Sequence, residues 1–153
     1  MSETTTPKKG LYQWAPTDEK LSTFQGLNDA LEILDNAILD TAPTWTNIAL
    51  QNGVAPFAAG TDPIFTKIGN VVYIKGVVTN ITAINTIIGT LPTGYKPTTM
   101  SHNFAAPTST QNNSARIARW IIGTDGTIKL EGTTDGLYTA AFWYPIHTSF
   151  VVG

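Results

Sequence analysis

Two histidines and no cysteine leave this chain of 153 residues few groups that could do chemistry. His102 follows Ser101 in a polar stretch, and His147 opens the last apolar run. A serine nucleophile would need a strained turn of the G-x-S-x-G kind and a base held by an acid; no such turn occurs. Both histidines therefore read as surface or edge residues. The acids beyond residue 44 are Asp62, Asp125, Glu131 and Asp135, too scattered to enclose a metal ion. Asp125 and Asp135 each precede a glycine, which is turn chemistry. Glu131 and Asp135 come nearest to the carboxylate pair of a glycoside hydrolase, but both are expected in exposed turns. Thiolate zinc sites are excluded, and neither phosphate-cradling glycine pattern is present. The expectation is a protein without catalytic residues, metal or cofactor.

Aromatic rings are the remaining candidates for recognition. Trp120, Trp143 and Tyr144 fall in strand-like stretches, and adjacent Trp143 and Tyr144 must point to opposite sheet faces. An exposed ring could stack on a saccharide or anchor a protein contact. A buried one fills a core that is poor in leucine. Both readings stand at this point.

The elements that must carry these rings announce themselves by composition and period. Charged residues are only 13% of the chain, and their place is taken by 25 threonines, β-branched residues that suit a pleated surface. Residues 1–40 hold seven acids against three bases, net −4; residues 41–153 hold four acids and six bases, net +2. Six bases scattered singly do not make a stripe that tracks phosphates, so nucleic acid is not an expected partner. No run approaches membrane-spanning length, and MSETTTPKKG lacks the apolar region of a secretory signal. Synthesis in a reducing cytosol is expected.

Residues 1–10 read as a flexible tail. Residues 11–43 read as an aromatic entry segment and a helix over 18–39, with Thr17 as its cap and Pro43 beyond its end. Leu21, Phe24, Leu27, Leu31, Leu34 and Ile38 form one apolar stripe at spacings of three and four. That stripe could pack within the chain or serve as an assembly face, for instance in a short trimeric coiled coil.

From Trp45 the period changes to two, and residues 44–153 are expected to form one antiparallel β-sandwich, jelly-roll-like. Expected strands are 45–50, 64–68, 71–79, 86–91, 116–122, 127–130, 137–144 and 147–152, with 54–63 and 107–115 as loops. In 71–79, Val72, Ile74, Gly76 and Val78 share the uncharged face and should point to the core. Asp125-Gly126 between two apolar runs marks a hairpin. Asn80-Ile81-Thr82 and Asn112-Asn113-Ser114 match glycosylation acceptors without a secretory context that would use them.

Two groups of residues carry a family resemblance. Leu11–Ile38 (LYQWAPTDEKLSTFQGLNDALEILDNAI) resembles the N-terminal attachment segments of small tail and baseplate proteins from phages of Gram-positive bacteria. Asn70–Thr79 (NVVYIKGVVT), Ile88–Pro97 (IGTLPTGYKP) and Gly123–Leu130 (GTDGTIKL) together resemble the sandwich domains of siphophage receptor-binding and accessory tail proteins. The likeness extends to the shoulder domain of lactococcal phage receptor-binding proteins. It implies a structural or accessory protein of the virion tail, docked to other tail or baseplate proteins as an attachment or adaptor module, as monomer or homotrimer. A carbohydrate-binding module for host cell-wall saccharide is the first alternative. An assembly factor absent from the mature particle is the second. The glycines and prolines of these motifs fix turns, so the resemblance transfers no binding residue.

Overall fold

A computed structural model describes residues 3–5, 12–14, 27–34 and 42–152 of the chain. The chain divides into two units, residues 1–42 and 43–153. In the first, β1 (Glu3–Thr5) pairs antiparallel with β2 (Tyr12–Trp14), so part of the segment expected as a loose tail is a two-stranded ribbon. Residues 27–34 are helical, within the expected helix. Its cap at Thr17 and the stripe residues Leu21, Phe24 and Ile38 lie outside the described residues.

The second unit is an antiparallel sandwich. One layer is a four-stranded sheet in the order β8 (Ile87–Thr90), β11 (Thr127–Thr133), β10 (Ser114–Ile122), β9 (His102–Gln111). The facing layer has two parts. One is β13 (Thr148–Val151), β6 (Val71–Lys75), β5 (Ile64–Ile68), β3 (Thr46–Asn47); the other is β12 (Tyr144–Pro145), β7 (Val77–Thr79), β4 (Ala55–Pro56).

Gly76 joins the two parts. Here the long strand 71–79 turns from one sheet into the other, and Gly76 adopts φ 149° with Pro63 against it. A Cβ at this position would stand 2.5 Å from the Pro63 Cα, so the crossing needs a residue without one. The C-terminal segment follows the bend: Ile146 N–H donates to the Gly76 carbonyl, between the pairs Tyr144–Val78 and Thr148–Ile74.

The alternation read from 71–79 holds. Val72, Ile74 and Val78 are buried and Tyr73 is exposed. They pack with Ile88, Ala118, Trp120, Ile122, Ile128 and Leu130 from the facing sheet, and with Tyr144, Ile146 and Phe150. The Asp125-Gly126 hairpin is also present.

Other expectations also differ from the structure; within the expected loop 54–63, Ala55–Pro56 pairs with β7. Residues 107–115 are not a loop: they are the end of β9 and the start of β10, joined by Asn112-Asn113 with φ 49° and 61°. Two consecutive positive φ values make the two-residue hairpin turn whose twist matches the strands, and asparagine tolerates it. Residues 137–144 are mostly not a strand. Only Tyr144 pairs in a ladder, and the rest bridges the layers, with Asn80 N–H donating to Ala140 O and Ser109 N–H to Trp143 O. Of 45–50, only Thr46–Asn47 pairs as a strand. The chain beyond closes the opposite side, with Ile48 N–H on Pro63 O and Gln51 N–H on Ile88 O.

The motifs carrying the resemblance are structural locks. Tyr95 N–H donates to Pro92 O across a turn with Gly94 at φ 88°. The Tyr95 ring meets Phe65 edge-on at 4.9 Å, and Lys67 Nζ donates to the Gly94 carbonyl. Leu91 and Gly126 are joined by a backbone bond of 2.9 Å, which ties this turn to the hairpin tip.

Candidate binding surface

Inward placement of alternate residues on β10 sends Arg116, Ala118, Trp120 and Ile122 to the interior. Trp120 and Tyr144 are both fully buried, so neither ring can present a face to a ligand. They are core residues, which corrects their candidacy for stacking. Trp120→Ala should cost about 3–5 kcal/mol, the usual range for emptying a large core site; chemical denaturation checks this, and a neutral result would contradict its place in the core. Trp143 is half-buried, with its ring centroid 6.2 Å from that of Phe57. Phe57 is exposed, so of the three expected aromatic residues only Trp143 belongs to an accessible ring pair.

Arg116 is the unexpected member of the interior row. Its side chain keeps only 2% exposure, which an unpaired guanidinium could not bear. Asp135 supplies the partner through two parallel bonds, Nε to Oδ2 at 2.6 Å and Nη2 to Oδ1 at 2.9 Å. Nη2 also donates to the Leu137 carbonyl, and the Phe142 ring lies 4.1 Å from the guanidinium carbon. The cluster pins residues 135–142 to the β9–β10 edge. Hydrogen bonding from Arg116 is the first cause that holds the Asp135 carboxyl down to about 2.

Glu131 is on strand β11 rather than in a turn, and it is also tied by an arginine. Arg119 Nε donates to Glu131 Oε2 at 2.7 Å, and this bond lowers the Glu131 pKa. Glu131 and Asp135 are both held as carboxylates, so neither is set up to give a proton to a leaving group. Asp125 accepts from the Thr127 backbone N–H and hydroxyl within the hairpin turn, which lowers its pKa in turn.

His102 lies on β9 rather than in a loop. Its Nε2 sits 2.8 Å from Thr148 Oγ1, and its ring stacks on Phe104 and Phe150. Burial lowers its pKa, as expected for a ring wedged between two phenyl groups. His147 is exposed beside a smaller cleft formed with Asp62, Lys75 and Gly76. Among the described residues no three His, Cys, Asp or Glu side chains gather as metal ligands. Asn80 of the first glycosylation match uses its side-chain amide on the Gly53 carbonyl, at 2.6 Å.

An open cleft of about 540 Å³ lies on the outer face of the β9–β10–β11 sheet. Ala105, Ile117, Arg119, Glu131, Gly132, Thr133 and Thr134 line it. Of these, sequence reasoning singled out Glu131 alone, as a candidate catalytic carboxylate, and none as a binding residue. The signal available was alternation itself, which places Ile117 and Arg119 on the outer face opposite Arg116 and Ala118. On the helix, Leu27 and Leu34 of the apolar stripe are exposed and Leu31 is partly buried.

No family model matches the chain, and no curated protein is similar to it in sequence. Among solved structures, the receptor-binding protein of Listeria phage PSA superposes with a TM-score of 0.64 at 16% identity. That match covers 92% of this chain and 82% of the other. The fold is similar to that of a phage receptor-binding protein. The head domain of lactococcal phage bIL170 is also similar, with a TM-score of 0.48 and 15% identity over 73% of this chain. The similarity in fold to phage receptor-binding proteins agrees with the relationship that the turn and strand motifs imply.

Proposed function

We propose that the chain is a non-catalytic attachment module of a phage tail, made in the host cytoplasm and carried on the virion. The observation that carries this reading is the similarity to a phage receptor-binding protein over 92% of the chain. Absence of catalysis is supported by the pairing of Glu131 and Asp135 with arginines. Docking to other tail or baseplate proteins would use the helix stripe, of which Leu27 and Leu34 are exposed. The same stripe suits a homotrimer, whereas a monomer would leave it for a different tail protein.

Direct binding of a host cell-wall saccharide is the second reading. It is favoured by the accessible cleft on the outer sheet face. It also draws support from the extent of the match, since 82% of a protein named for receptor binding is covered by this chain.

Mass spectrometry of gradient-purified virions tests the proposal. The chain should be present in a fixed ratio to the tail proteins. Its presence in infected-cell extracts together with absence from mature particles would replace this reading with that of an assembly factor.

A further inference from the structure

From the side-chain arrangement on the outer face of the β9–β10–β11 sheet we infer that Arg119 and Glu131 form a binding site for neutral vicinal diols, as presented by a saccharide ring. The inference rests on the saccharide-binding reading above and gives it a site and a ligand chemistry.

A bulge builds the site. Arg119 pairs with Gly132, and the next residue, Trp120, pairs with Leu130, so Glu131 is the extra residue of β11. Bulges re-aim side chains, and this one puts the Glu131 carboxylate beside the Arg119 guanidinium. On either side of Arg119 the cross-strand neighbours are Ala105 and Gly132, which are too small to fill the face. The result is a concavity on a sheet surface that would otherwise be a ridge of side chains. Its volume of about 540 Å³ is within the range of small-ligand sites.

The polar groups at this place are oriented but unspent. Arg119 is 67% exposed and uses only Nε on Glu131; both terminal nitrogens lack a partner among the described residues. Glu131 uses Oε2, and its Oε1 has no partner among the described residues. A fixed donor fork next to a fixed acceptor matches adjacent hydroxyls, each of which can accept from the arginine and donate to the carboxylate. Ile117, exposed beside the pair, offers an aliphatic surface to the C–H face of a ring. An anion suits the site less well, because the Glu131 carboxylate already occupies the guanidinium and would repel it.

The test is heteronuclear NMR on the full-length protein. The probes are the methyl glycosides of glucose, mannose, galactose and N-acetylglucosamine, with inorganic phosphate for comparison. At least one glycoside should shift the amide signals of Ile117, Arg119, Gly132, Thr133 and Thr134, and phosphate should leave them in place. Glu131→Gln and Arg119→Met should each weaken that glycoside by about tenfold, the loss of one charge-assisted contact. Unchanged thermal melting would show that both variants fold. If no glycoside moves these signals, the inference falls. It falls as well if phosphate moves them and Glu131→Gln tightens phosphate binding, because that is the behaviour of an anion site. The titration uses isolated protein, so it fails or succeeds independently of whether the chain is found in virions.

Discussion

Asp135→Ala should lower the melting temperature by roughly 10 °C, more than removal of its partner by Arg116→Met. The asymmetry comes from burial. Arg116 keeps 2% of its side-chain surface, and without Asp135 its charge is left with neutral groups alone, the Leu137 and Ser109 carbonyls, the Ser109 hydroxyl and the Phe142 ring among them. The Asp135 side chain keeps 29% and can rehydrate when the arginine is gone. Methionine at 116 also keeps most of the packing volume. The same contact sets an acid limit. Asp135 titrates at about 2 in the folded protein against 3.8 as the ordinary value, so its contribution is complete above the unfolded value. It is lost as pH falls through the folded one. Melting curves between pH 5 and pH 2, ranges chosen from those two values, should fall more steeply for the wild type than for Asp135→Asn. Parallel curves would show that the pair does not hold residues 135–142 in place.

Gly76→Ala should destabilise the sandwich by about 3–5 kcal/mol, combining backbone strain with a steric clash. Two features converge on this one position. Its φ of 149° lies where side-chain-bearing residues are rare, and a Cβ would meet the Pro63 Cα at 2.5 Å and its nitrogen at 2.9 Å. Backbone cannot swing aside as a side chain can, so β5 and the crossing strand would have to part. Gly69→Ala is the control. Gly69 also has positive φ, 57°, but nothing lies within 4 Å of its Cβ position, so its cost should be confined to backbone strain, about 1 kcal/mol. Chemical denaturation of the two variants distinguishes them; equal effects would deny the crossing at Gly76 its tight fit.

Where the sequence was legible, one local rule sufficed. Strand 71–79 alternates cleanly, and Asp125-Gly126 sits between two apolar runs, so the β6–β7 core face and the β10–β11 hairpin follow from period and turn chemistry. The β9–β10 hairpin was missed because its tip reads as polar loop. Thr108 and Ser109 are buried polar residues satisfied by distant partners, the Trp143 carbonyl for Thr108 and the Arg116 guanidinium near Ser109. Asn112-Asn113 was nevertheless a usable sign, since both residues tolerate positive φ. Residues 137–144 erred in the other direction. Their apolar content suggested a strand, but it serves to cover Arg116 with Phe142 and to seat Tyr144 in the core.

The candidate site was less legible than the fold. Its key residues are ordinary in sequence: an arginine, a glutamate, a glycine and two threonines become a cleft only through a bulge between β10 and β11. A register shift of one residue is invisible to alternation in either strand alone. The rings chosen from sequence had the opposite fate, because a tryptophan or tyrosine on a half-buried strand is claimed by the core unless its face is known. Trp143, on the opposite parity from Tyr144, kept partial access. Of the expected stripe, Leu27, Leu31 and Leu34 lie in the described part of the helix.

Electron microscopy of purified virions labelled with gold-coupled antibodies against this chain tests the central claim most directly. The attachment reading predicts label at the tail, together with reduced adsorption of antibody-treated particles to host cells. Unlabelled particles with undiminished adsorption would contradict it.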